Sequence, residues 1–241
     1  MAALEITGLR KAFGGVVALD GVDLSIPGDK ITGVIGPNGS GKTTLFNVIT
    51  GVFPPTSGRI EWQGEDITGM RSHQIARKGL IRTFQQAMSF PGLTVLENVR
   101  VAMERGERRG AGAGPRWPSA EAILDFVGLA GRGQEEAGSM PFGNLRRLGV
   151  AVALAANPVL LLLDEPAAGL SDNEANTLTE LIIKLPQMGI GVCLIDHHMT
   201  FMTALCTRLV VLDFGTKIAD GAPAGVLKDP KVTEVYLGGE L

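Results

Sequence analysis

Two cysteines in 241 residues, Cys193 and Cys206, are too few for a disulfide framework. Cys193 lies in the apolar run Gly191-Val192-Cys193-Leu194-Ile195, which predicts a buried core thiol. Charge of one sign is also lacking. Lys and Arg number 22 against 25 Asp and Glu, the net charge is −3 and the pI is about 5.7. That balance gives no basic surface, so no nucleic-acid partner is expected. Long hydrophobic runs are absent as well. The longest apolar tract, residues 148–163, is broken by Asn157-Pro158 and is too short to span a bilayer. Residues 1–10 lack a basic stretch followed by an apolar one, so a signal peptide is not expected. A soluble cytoplasmic chain, able to dock on a membrane partner, is the expectation. Aromatics make up only 5%, whereas glycine, at 33 residues, is about twice as common as usual. Many tight turns follow from that excess, within a chain long enough for one large domain or two small ones.

What is present gathers around Gly36-Pro37-Asn38-Gly39-Ser40-Gly41-Lys42-Thr43, which reads G-x-x-x-x-G-K-T. The apolar residues 31–35 before it predict a buried strand. Residues 42–50 after it predict a helix, with Gly51 at the C-terminal cap. Glycines let the backbone curl so that successive N–H groups point at phosphate oxygens. The helix N-terminus adds partial positive charge beneath them. In such a loop Lys42 reaches the β- and γ-phosphates and the Thr43 hydroxyl ligates Mg²⁺, with Thr44 beside it. From the loop alone, a glycine-rich turn that binds nothing is the alternative.

The chain before that loop reads as short strands, residues 2–9 and 22–26, with a turn at 27–29. Residues 58–62 form a further strand, 72–79 a helix and 80–84 a strand again. Helical patterns then dominate residues 95–156, interrupted at 105–118, where Gly, Arg and Pro predict an exposed loop. Residues 159–163 are a continuous aliphatic run of the kind buried on both faces of a parallel sheet. Helix (171–185), strand (191–195) and helix (199–205) follow, and then two strands flank Asp213-Phe214-Gly215. This alternation predicts an α/β fold with a mainly parallel sheet. A helical subdomain, residues 86–157, is expected between lobe segments 1–85 and 158–241.

A second signal is Leu160-Leu161-Leu162-Leu163-Asp164-Glu165-Pro166. Four aliphatics followed by two carboxylates put Asp164 and Glu165 at the C-terminal edge of a buried strand, where open α/β sheets bind ligands. Asp164 can hold Mg²⁺, and Glu165 can act as general base on an attacking water, an effect typically worth about 10²–10⁴-fold. A solvated acidic turn is the other reading of the pair.

Taken in order, these motifs resemble those of the ATP-binding subunits of ABC transporters over essentially the whole chain, most of all the branched-chain amino acid importers. The resemblance is carried by Arg82-Thr83-Phe84-Gln85, residues 94–99, Asp164-Glu165-Pro166-Ala167-Ala168-Gly169-Leu170, residues 194–199 and the tail 232–238. It implies an α/β cassette with N-terminal antiparallel strands, ATP and Mg²⁺ as ligands, and hydrolysis that drives import. By the same resemblance Gln85 is a metal- and water-coordinating glutamine, and His197 is the histidine that contacts the γ-phosphate, with His198 as competitor. Phe13 stacks on adenine or, alternatively, sits in the core. Residues 168–171 speak across a dimer. Met88, Phe90 and Leu93 line a groove for a short helix of the membrane subunits, ordinary core packing being the other reading.

The family's signature loop, Leu-Ser-Gly-Gly-Gln or Leu-Pro-Tyr-Gly-Gln, appears as Met140-Pro141-Phe142-Gly143-Asn144, with Gly143 and Asn144 facing the partner's nucleotide. Two charged residues expected in the following helix are Gly149 and Val152 here. The implied partners are a second ATPase subunit (a related one, or a second copy), permease subunits and, indirectly, a substrate-binding protein. The implied place is the cytoplasmic face of the membrane. Urea, amide or lipid cargo, and a regulatory subunit with weak hydrolysis, are the alternative functions. No Asn-Lys-x-Asp motif points to guanine.

Overall fold

The computed structural model describes residues 2–83, 89–108 and 117–237. In chain order the first elements are β1 (Ala2–Phe13), β2 (Val16–Pro27), β3 (Ile31–Ile35), α1 (Lys42–Ile49), β4 (Ser57–Trp62), β5 (Glu65–Asp66), α2 (Ser72–Arg77) and β6 (Leu80–Arg82). Three helices follow: α3 (Val95–Arg108), α4 (Ala120–Phe126) and α5 (Phe142–Ala155). The remainder is β7 (Leu160–Asp164), α6 (Asp172–Lys184), β8 (Gly191–Ile195), α7 (Met199–Leu205), β9 (Arg208–Asp213), β10 (Thr216–Gly221), α8 (Pro223–Val226) and α9 (Pro230–Leu237).

Two sheets organise these elements. A six-stranded sheet has the order β10-β9-β3-β8-β7-β6, and every pairing from β9 to β6 is parallel. Its central strands β3, β8 and β7 are buried along their whole length, as continuous aliphatic runs must be when both faces are covered. Alternation decides which face each side chain serves. Leu161, Leu163, Val192 and Leu194 join a core with α3, α4, α5, α6 and α7. Leu160, Leu162, Cys193 and Ile195 join a second core with α1 and the antiparallel sheet β2-β1-β4-β5. Helix α1 therefore packs in the core that both sheets share, burying Leu45, Phe46, Val48 and Ile49. Across the same gap Arg208 of β9, paired within its own sheet with Asp220 at 2.6 Å, donates to the Ser25 carbonyl at 2.6 Å. Both thiols lie in these cores, and desolvation pushes the Cys206 thiol up to about 12 and the Cys193 thiol higher still.

The mainly parallel sheet and the antiparallel N-terminal strands match the sequence reading, with two differences in extent. Strands β1 and β2 run twelve residues each, beyond the expected 2–9 and 22–26. Gly8 (φ +57°) and Gly21 (φ +70°) take left-handed conformations near shifts in the β1–β2 register, so the strands bend there and continue. Helix α3 reaches Arg108, into the segment expected as loop. Its start is firmly built: Thr94 and Glu97 exchange hydrogen bonds in a capping box, at 2.8 and 3.2 Å, and Val95, Leu96 and Val99 are buried. The rest of that expected loop, residues 109–116, lies outside the described residues, as do Phe84, Gln85 and Met88.

Candidate functional site

The loop between β3 and α1 is held open by backbone geometry. Gly36 and Gly41 have φ of +151° and +103°, and a Cβ on either would collide with a carbonyl oxygen, of Leu212 or Ala18 respectively. Gly41 is the residue that precedes the helix, and no side chain caps the α1 N-terminus. Its first-turn N–H groups are thus left for an anion. Pro37 and Ser40 close the loop through a Ser40 N–H to Pro37 carbonyl bond of 3.2 Å. Gly215 straps it from outside, donating to Ser40 O at 3.0 Å and accepting from Asp20 N at 2.8 Å. Asn38 and Gly39 form the exposed tip, Thr43 is exposed and Thr44 half-buried. Lys42 folds back onto the loop, its Nζ donating to Gly36 O and Pro37 O, both at 2.8 Å. Burial lowers its pKa and the charge of Glu165 works in the opposite sense, so the motif at the end of β7 lies within electrostatic reach.

That motif sits one strand away from the loop, because β8 separates β3 from β7. Asp164 is buried at the end of β7. Its Oδ2 accepts a 2.5 Å bond from Arg82 Nη2, and its Oδ1 has no hydrogen-bond partner among the described residues. Glu165 is half-buried with φ +48°, a left-handed conformation that costs a non-glycine residue about 1–3 kcal/mol. Its N–H bonds to Ile195 O at 2.8 Å and its carbonyl accepts from Ala168 N at 3.2 Å. The turn is therefore fixed from both sides with its carboxylate carried past the strand end.

Between them, just past the end of β8, lies Asp196, part of the 194–199 stretch but with no role assigned from sequence. Asp196 is buried; its Oδ2 accepts from Ala167 N and its Oδ1 from His198 N, both at 3.0 Å. One carboxylate thus ties the segment after Glu165 to the segment carrying the histidines. His197 is exposed, with Nδ1 3.9 Å from Asp196 Oδ1, and His198 is exposed beside it at a ring separation of 5.8 Å. The third strand end is thereby brought to the first two, which is where an open α/β sheet places its ligand.

Around this centre the remaining predicted residues divide. Gly143 and Asn144 lie in the first turn of α5, with Pro141 at the N-cap. Asn144 does not project its amide outward: Oδ1 accepts from Arg147 Nη2 and the residue is buried. Gly143 backs onto Glu174 of α6 so closely that a Cβ there would overlap its carboxylate. Arg146 spans the gap inward, donating to Ala168 O at 3.2 Å and feeling the charges of Asp196 and Glu165. Phe13 is exposed and not a core residue; its ring meets Phe53 edge-on at 5.2 Å, with Lys11 Nζ 4.8 Å above it. Phe53 lies in the loop after α1. An apolar groove of about 340 Å³ lies between α2, β6, α3 and α5, and Phe90, Val101, Ala102, Gly149, Val152 and Arg82 are among its lining residues. Leu93 is not in that lining set.

Among the described residues no three His, Cys, Asp or Glu side chains gather at one point. The site instead offers one buried carboxylate oxygen without a partner and the exposed Thr43 hydroxyl. That suits Mg²⁺, which binds through one or two protein oxygens together with phosphate oxygens and water.

Known proteins bear on the same residues. The family profile described as ABC transporter matches residues 19–168, and that of the branched-chain amino acid ATP-binding cassette transporter matches residues 216–241. The chain is 39% identical to the high-affinity branched-chain amino acid transport ATP-binding protein BraF of Pseudomonas aeruginosa, over 98% of this chain and 97% of that protein. It is 36% identical to the corresponding protein LivG of Escherichia coli K12, with the same coverage. A crystal structure of an ATP-binding cassette of an ABC transporter in its ADP conformation superposes with a TM-score of 0.87 at 33% identity, covering 99% of both chains. A nucleotide-free cassette gives 0.85 at 32% identity, covering 98% of this chain and 99% of that one. With most of its length matched by the family profile and whole-length relatives above 30% identity, the chain belongs to the ABC transporter family, as one of its ATP-binding cassettes.

Proposed function

We propose that the chain binds and hydrolyses ATP as a peripheral subunit of an importer for branched-chain amino acids or a related small solute. The supporting observation is the meeting, at adjacent strand ends, of a loop of free N–H groups around Lys42 with the Asp164–Glu165 and Asp196–His197 turns. Lys42 exchanges its loop carbonyls for phosphate oxygens, Thr43 and Asp164 hold the cation with Gln85, and Glu165 takes the proton of the attacking water. Bound Mg²⁺ would neutralise phosphate charge. His197, on a turn held by Asp196, orients the water against the γ-phosphate. Phe13 receives the adenine face. Phosphoryl transfer to water needs positioning and charge neutralisation more than covalent chemistry, and these residues supply both.

The cargo assignment rests on the whole-length likeness to BraF and LivG and on the tail profile. Residues 86–157 serve as a helical subdomain within a lobe made of 1–85 and 158–241. Two such subunits, this chain with a related one or with itself, close on ATP, with Gly143 and the α5 N-terminus of one meeting the nucleotide of the other. Because the Asn144 amide is turned to Arg147, backbone N–H groups carry that contact. Among the described residues no helix is long and apolar enough to cross a membrane, so transport needs separate permease subunits, which the apolar groove receives. Equilibrium binding of ATP to the purified chain, set against Lys42→Ala, tests the core of the reading. Loss of most affinity in the variant is expected, and equal affinity would reject the loop as the nucleotide site. Co-purification of the chain with membrane permeases, followed by uptake assays of branched-chain amino acids, tests the cargo.

A further inference from the structure

Arg82 is among the most buried charges of the molecule, with a side chain 5% exposed against 3% for its partner Asp164. Its guanidinium reaches two elements at once. Nη2 donates to Asp164 Oδ2 at 2.5 Å, and Nη1 donates to Asn47 Oδ1 at 2.7 Å, on the helix that follows the phosphate loop. The guanidinium carbon also lies 5.7 Å from the centre of the Phe46 ring on the same helix. The carboxylate that the strand end offers is thus held by one oxygen, and its other oxygen, Oδ1, is left without a hydrogen bond among the described residues.

A buried carboxylate oxygen left without a partner is costly unless something completes it. A planar guanidinium can hold one carboxylate oxygen and a second acceptor in a fixed fork, which a lysine ammonium on its flexible stem cannot do. We infer that Arg82 is a positioning residue for the cation that accompanies ATP: it locks Asp164 so that Oδ1 is presented to the metal or its water, and registers that oxygen against α1 through Asn47. This rests on the reading of Asp164 as a metal-holding residue. In this role Arg82 acts on the cation through Asp164 rather than as a ligand itself. Outer-shell partners of metal ligands typically contribute about 10–100-fold to metal affinity.

The test is Arg82→Lys in the full chain, which keeps the charge and removes the fork, with Asn47→Ala as a milder companion at a half-buried position. Mn²⁺ binding in the presence of ATP is read by electron paramagnetic resonance, and ATP binding in EDTA by calorimetry. The expected result is Mn²⁺ affinity weakened about tenfold or more in Arg82→Lys and less in Asn47→Ala, with metal-free ATP affinity unchanged. Mn²⁺ affinity equal to that of the parent chain in both variants would overturn the inference. So would a parallel loss of metal-free ATP affinity and melting temperature, the mark of a role in folding only. If Arg82→Lys does not fold, Asn47→Ala decides by the same two readings. Failure of the parent chain to bind ATP at all would instead reject the nucleotide reading, so the two failures are distinct.

Discussion

Glu165 stands out among single residues because its backbone is held where few side chains go. A left-handed φ of +48° directly after a buried strand persists only if surrounding bonds over-determine it, and the Ile195 and Ala168 contacts do so. The consequence is a carboxylate carried beyond the sheet edge toward Lys42. Glu165→Gln keeps size and backbone and removes the proposed base. Steady-state ATP turnover by the assembled transporter should fall by about a hundredfold or more, while ATP affinity stays within about threefold. Turnover near the parent rate would exclude Glu165 as the proton acceptor. Legibility at this scale was uneven. Asp164, Glu165 and the loop around Lys42 carry local patterns that a sequence displays. Arg82 and Asp196 stand in stretches that carry the resemblance, but their roles were not legible, since Arg82 finds its partner 82 positions away and Asp196 bonds to a segment 29 positions away. Only the folded sheet makes those pairs visible.

At the scale of elements, helices α5 and α6 start side by side, and Glu174 serves both starts. Its Oε2 accepts from the Ser171 N–H at 3.0 Å and from the Ser171 hydroxyl at 2.7 Å, which builds the α6 capping box. The same carboxylate lies against Gly143 at the beginning of α5, and bonding to Ser171 and Gly143 holds its pKa below the usual carboxylate range. A side chain at Gly143 would displace this carboxylate, a contact that its place in a signature loop did not reveal. Removing the cap in Glu174→Ala should lower stability by about 1 kcal/mol in chemical denaturation. Glu174→Gln retains the box and should stay within about 0.5 kcal/mol of the parent. Equal losses in the two variants would mean that the charge, not the cap, stabilises this junction. The short strands and helices themselves were largely legible, because continuous aliphatic runs and helical patterns are local. The lengths of β1 and β2 were not, since a glycine that bends a strand and one that ends it look alike in a sequence.

For the whole molecule, the question is how a cassette with no membrane-crossing helix among its described residues passes work to a permease. The groove between β6, α3 and α5 offers an answer in its composition. Val152 and Gly149 of α5 line it where charged side chains were expected, and Phe90 stands 52% exposed at its edge. The Phe90 segment is firmly placed: buried Asn98 accepts from Phe90 N at 2.7 Å and donates to Phe90 O at 3.1 Å. An apolar groove with a fixed aromatic rim suits the apolar face of a short permease helix. Val152→Glu or Phe90→Asp would confront that face with a carboxylate that has no partner. Either change should weaken association with the permease about a hundredfold, or about 2.8 kcal/mol, while ATP binding by the isolated chain is unaltered. Pull-down of the permease and solute uptake in vesicles would measure the first effect, and nucleotide titration the second. Normal uptake in both variants would remove the groove from the transport cycle, and a joint loss of ATP binding would show that the substitutions had disturbed the cassette itself. The groove and the nucleotide site share one side chain, Arg82, which lines the former and holds Asp164 in the latter. If a permease helix seats in the groove and Asp164 holds the cation, as proposed, that helix packs against the residue bonded to Asp164, and docking and hydrolysis are joined through Arg82.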